Sequence, residues 1–229
     1  MRTTDDLIVA LSVAPPRRLL GPAGAIAIAA LSSAAATVVL SVGWLGARAD
    51  LWPALTAPDG VVVFRLVFAA AVIAAALSLV RDLSVPGRRP VWWPVLAAAL
   101  LAAISAMASH EPGSAPVRDL SHHLEHRSWM ECLWKIPVLG SPALVALAFC
   151  VRYLAPTKLT LAGALVGLAA GGIGAIGYSL HCHDDSVAIV LASYILAISE
   201  TAFIGALAGP LVLRWTSSSM VTADGASGP

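Results

Sequence analysis

The chain has 229 residues, of which 59% are hydrophobic and only 12% charged, with a formal net charge of +1. A soluble domain carries about 25% charged residues, so this chain lacks the polar surface to cover itself in water. A balance so close to neutral leaves no basic footprint for nucleic acid.

Residues 1–21 read as a short arm. Thr3 or Thr4 can cap a helix whose first turn holds Asp5 and Asp6, where carboxylates oppose the helix dipole. Leu7, Ile8 and Leu11 form an apolar stripe at helical spacing. A helix this short is marginal alone in water, so it would fold in a partner's groove. The competing reading is an arm lying on the membrane surface.

Beyond the arm come six apolar stretches, 22–45, 61–80, 91–109, 133–151, 159–180 and 187–213. A transmembrane helix needs about 20 apolar residues. The expected fold is therefore all-α, an integral membrane bundle of six transmembrane helices. Pro137 and Pro142 sit at the start of the fourth stretch, tolerable if neighbours satisfy the freed backbone groups. The first stretch is too long, and too far behind Met1, for the core of a cleaved signal peptide.

Charge sets the expected orientation. With the N-terminus in the cytoplasm, Arg2, Arg17, Arg18, Arg81, Arg88, Arg89, Arg152, Lys158 and Arg214 lie inside, nine cations against the five at Arg48, Arg65, Arg118, Arg127 and Lys135. Both termini are then cytoplasmic. The outer loops are 46–60, 110–132 and 181–186. The seven tryptophans all fall near span ends, as interfacial indoles do. The tail 216–229 is rich in Ser, Ala and Gly and reads as disordered. In the fifth stretch Gly163, Gly167 and Gly171 recur every fourth residue, the pattern of close helix packing.

All six histidines fall in the outer loops, with two of the three cysteines, Cys132 and Cys182. Those cysteines sit at the same expected depth on helices joined by the short inner loop 152–158. The separation needed for a disulfide is then within reach, and an oxidising periplasm would permit one. A permanent disulfide and a redox- or metal-responsive thiol pair both remain open. His181, His183 and Asp184 flank Cys182, and thiolate with imidazole suits soft divalent metals such as zinc and cadmium. His122, His123 and His126 could share one helical face, although loop histidines are more often solvated than ligating. No spacing matches a structural zinc motif, and no cofactor is required. Cys150 reads as an inert small hydrophobe.

Two intramembrane charges stand out, Arg65 near the outer side and Glu200 near the middle of the sixth stretch. Their depths are too different for direct pairing. Glu200 is expected to be neutral and hydrogen-bonded to a hydroxyl such as Ser193, Ser199 or Thr201. An intramembrane carboxylate also raises a transporter or channel, but no inverted repeat supports one. No nucleophile–base constellation points to an enzyme.

Several runs carry a family resemblance. They are Ser128-Trp-Met-Glu-Cys-Leu, Ile136-Pro-Val-Leu-Gly-Ser-Pro-Ala-Leu, Leu154-Ala-Pro-Thr, Tyr178-Ser-Leu-His-Cys-His-Asp-Asp-Ser and Leu213-Arg-Trp. With the opening Thr4-Asp-Asp-Leu-Ile, the chain resembles the NrsF-type negative regulators of extracytoplasmic-function sigma factors over most of residues 3–215. The resemblance implies six spans in a bacterial inner membrane, a sigma factor as partner, and no direct contact with DNA. It also implies that Cys132 and Cys182 govern release of the sigma factor under metal or oxidative stress. The sigma contact is then expected at Asp5, Asp6, Leu7, Ile8 and Leu11. The His-rich second outer loop and Glu200 depart from the family pattern.

Overall fold

A computed structural model describes residues 21–56, 61–84, 128–154, 156, 158–182 and 187–214. The arm with Asp5, Asp6, Leu7, Ile8 and Leu11 lies outside them. So do the third apolar stretch, His122, His123, His126, His183, Asp184 and the tail.

Among the described residues every regular element is a helix, and there is no strand. The helices are α1 (Pro22–Trp44), α2 (Leu51–Thr56), α3 (Val61–Leu83), α4 (Ser128–Arg152), α5 (Leu159–Ser179) and α6 (Val187–Val212). All except α2 are long and apolar enough to cross a membrane. The short α2 interrupts what the sequence suggests is plain loop. Helix α4 begins at Ser128, ahead of the expected Leu133, so Cys132 lies inside its first turns.

Helix α4 runs through Pro137 and Pro142 unbroken. Proline at 142 removes the N–H that would bond the Val138 carbonyl. The hydroxyl of Ser141 donates to that carbonyl instead, at 2.8 Å.

Helix α5 is the centre of the bundle and packs against α6, α4, α3 and α1. Its glycines explain the closeness. A methyl group added at Gly167 would run into the Thr201 carbonyl oxygen, and one at Gly163 into that of Gly205. On the α4 side, a methyl at Gly140 would lie 2.6 Å from the Ala170 carbonyl oxygen. The glycine pattern in α5 is thus a packing face, as its spacing suggests. The outer surface carries large apolar side chains such as Leu31, Val39, Phe203 and Leu211, a face suited to lipid.

Two buried clusters mark the ends of the bundle. One joins Ile26, Val80, Val151, Ala162 and Leu213. The other joins Phe68, Cys132, Tyr178, Cys182 and Tyr194. Helices α3, α4 and α6 therefore run in one direction, and α1 and α5 in the other. The chain enters α1 and leaves α6 at the same end. It also leaves α3 at that end and begins α4 at the opposite one.

Candidate functional site

The second cluster is where the chemistry gathers. Cys132 is carried there by the start of α4, Cys182 by the turn after α5, and both side chains are buried, at 3% and 4% exposure. The two thiols share their neighbours. Tyr178 packs into the same buried cluster as both cysteines. Tyr194, on α6, packs into that cluster too and is 1% exposed. The two phenol rings stand 6.3 Å apart, and the Tyr194 hydroxyl lies 3.2 Å from that of Ser179. Cys132 and Cys182 are both thiols in this structure.

Three cations border the cluster. Arg65 enters from α3 and is 2% exposed, and none of its guanidinium nitrogens has a hydrogen-bond partner among the described residues. Lys135 lies over the rings of Trp134 and Tyr178, at 5.8 and 6.0 Å, while pairing with Glu131 one turn back. Arg48, in the loop after α1, donates from Nη1 to the Cys182 carbonyl oxygen at 3.0 Å.

Local sequence explains how Cys182 is presented. The Cys182 N–H bonds the Tyr178 carbonyl, so the chain keeps one more helical turn beyond α5 and stacks Tyr178 beneath the cysteine. On the facing side, Gly46 takes φ +80°, the left-handed turn that ends a helix and that glycine adopts without steric cost. This swings the chain after α1 across the end of α5. His181 Nδ1 then meets the Gly46 carbonyl oxygen at 3.2 Å.

The structure thus brings together Cys132, Cys182, His181 and Arg65, but not Glu200. That residue sits on the exposed face of α6, and the Thr201 hydroxyl donates to Ala197 at 2.8 Å, not to the carboxylate. Among the described residues no group of three or more His, Cys, Asp and Glu side chains is placed to hold a metal ion. Sequence reasoning passes over Tyr178, Tyr194, Lys135, Arg48 and Asp50 as site residues. The four-residue step from Tyr178 to Cys182, one helical turn, is the one signal that could have found any of them.

These features describe a helical membrane protein whose buried thiols, tyrosines and cations converge at one end of the bundle. The chain belongs to a regulatory family rather than a catalytic one: residues 11–215 match the family described as negative regulator of sigma F. It is 34% identical over 223 residues to the anti-sigma-F factor NrsF of Caulobacter vibrioides, covering 93% of this chain and 99% of that protein. It is 31% identical over 224 residues to a probable anti-sigma-F factor NrsF of Azospira oryzae, with the same coverage of each. No solved structure matches the chain.

Proposed function

We propose that this protein is a membrane-embedded anti-sigma factor that sequesters an extracytoplasmic-function sigma factor and releases it when Cys132 and Cys182 react. The names of its relatives support the anti-sigma role in the first half. The packing of both thiols into one buried cluster with Tyr178 and Tyr194 carries the second. In this reading the bundle has six spans in a bacterial inner membrane, with residues 21 and 214 facing the cytoplasm. Arg81, Arg152, Lys158 and Arg214 fall at that end, and the exposed Trp44, Trp52 and Trp134 at the other, the asymmetry expected of cytoplasmic and interfacial ends. The sigma factor would be held by the arm, with Leu7, Ile8 and Leu11 as its apolar stripe.

The chemistry is simple. Capture of a soft divalent ion such as cadmium or zinc exchanges two thiol protons for two metal–sulfur bonds. Oxidation instead joins the sulfurs and passes two electrons to the oxidant, with loss of the same two protons. Either event draws α4 and the end of α5 together. Moving a partner from mostly bound to mostly free needs about 5 kcal/mol, a scale that metal–thiolate bonds can supply and one exposed histidine cannot.

A sigma-dependent reporter tests both halves. With Cys132→Ser and Cys182→Ser combined, induction by cadmium or oxidant is expected to vanish. Removal of residues 3–12 is expected to leave the reporter on without stress. A wild-type induction curve in the double serine variant rules out the cysteines as sensor. Intact repression without the arm, in protein still in the membrane, rules out the arm as the contact.

A further inference from the structure

We propose that Arg48 is the positioning residue that couples the Cys182 turn to α1, the helix that follows the arm. This rests on the function proposed above and adds the route by which a change at the thiols reaches the sigma factor.

The geometry is a clamp. Arg48 is 7% exposed. Its Nε and Nη2 donate to the two carboxylate oxygens of Asp50, at 2.8 and 2.6 Å. This two-pronged pairing fixes the plane of the guanidinium and directs Nη1 to the Cys182 carbonyl oxygen at 3.0 Å. The Arg48 backbone N–H donates to the Leu180 carbonyl oxygen, also at 3.0 Å. The loop leaving α1 is thereby bonded to both residues that flank His181.

The same half of α1 carries the helix's other polar ties. Ser41 donates to the Gly177 carbonyl oxygen at 2.6 Å, and Thr37 to that of Leu139 at 3.1 Å. The opposite half differs. Ser32 and Ser33 bond carbonyls of their own helix, and Ile26 and Ala30 make apolar contacts. Helix α1 is thus fastened to the thiol end by directional bonds and rests on the bundle at the arm end by apolar packing, which allows sliding. Its 23 residues make a rod about 35 Å long, so a tilt of about 5° moves the arm end by about 3 Å. Reaction at Cys182 shifts the carbonyl that Arg48 holds, and α1 follows.

A purely structural arginine and a coupling arginine differ in what their loss leaves intact. The test uses the full-length protein in membranes, with two readouts: alkylation of the remaining thiols after cadmium or oxidant, and the sigma-dependent reporter. In Arg48→Met, the thiols are expected to be consumed as in wild type and resting repression to hold. Induction should fall about tenfold, the factor carried by one charge-assisted hydrogen bond. Wild-type induction in Arg48→Met overturns the proposal. So does loss of thiol reactivity there, because Arg48 would then act on the sulfurs and not beyond them. If Arg48→Met fails to accumulate, Asp50→Asn decides. Asp50 is half exposed and its amide keeps the size of the carboxylate, so partial loss of induction supports the clamp and full induction overturns it. The Cys132→Ser, Cys182→Ser double variant separates the two statements. Induction retained there removes the thiol reading itself. Induction lost there, but normal in Arg48→Met, removes the clamp alone.

Discussion

Arg65 is the residue whose energetics stand out. Burying an ion without a compensating acceptor costs several kcal/mol, and apolar replacements at such positions are often stabilising. Arg65 is buried beside the thiol cluster, and among the described residues its three nitrogens find no hydrogen-bond partner. Arg65→Met fills similar volume without the charge. It is expected to gain about 1–4 kcal/mol, seen as a rise of a few degrees in the thermal midpoint of the purified protein in detergent. An unchanged or lower midpoint would show that the guanidinium is compensated by groups beyond the described residues. Glu200 is a useful contrast. It is exposed on α6, so its removal should matter less to the packed core than that of Arg65.

At the scale of elements, glycine is used in two different ways, and substitution separates them by sign. Gly205 in α6 faces the Gly163 carbonyl and the Gly167 backbone, so a methyl group there has no room. Gly43 in α1 has nothing among the described residues within 4 Å of where a methyl would stand. Gly205→Ala is therefore expected to force α5 and α6 apart and cost about 1–3 kcal/mol. Gly43→Ala should gain about 0.5–1 kcal/mol from reduced backbone freedom. Thermal midpoints of the two variants moving in the same direction would refute the backbone-contact account of the α5–α6 pair. This contrast also shows what the sequence discloses. The four-residue glycine spacing of α5 and the long apolar runs are periodic signals, and both are readable. The partners of Thr37, Ser41 and Arg48 on other helices and turns are backbone carbonyls, which every residue carries, so no residue type advertises them. Cys132 and Cys182 were legible by expected depth and by resemblance. The tyrosine on α6 that joins them was not, because its place depends on the packing of three helices. Helix α2 was hidden for another reason. Its six residues are too few for a periodic pattern, and Pro53 within it reads as loop.

For the whole molecule, the direction of the helices sets a parity that can be tested. Ile26 and Val80 share one buried cluster, so α1 starts where α3 ends. Phe68 and Cys132 share the other, so α3 and α4 both start at the far end. In the six-span reading, two consecutive described helices that run the same way are joined by a chain that returns across the bundle. The bilayer core is about 30 Å thick, and about 20 apolar residues span it as a helix. The stretch 91–109 has the length and composition to do so. Arg88 and Glu125 flank that stretch and should lie on opposite sides of the membrane. In the proposed orientation, the basic residues near Arg81 put the Arg88 side in the cytoplasm. Alkaline phosphatase, which is active only when exported, is therefore expected to be active when fused after Glu125 and inactive when fused after Arg88. Equal activity at both sites would break the six-span count. The inverse pattern would keep the count but turn the bundle over, placing Cys132 and Cys182 on the cytoplasmic side, where thiols are kept reduced and an exported oxidant would not meet them.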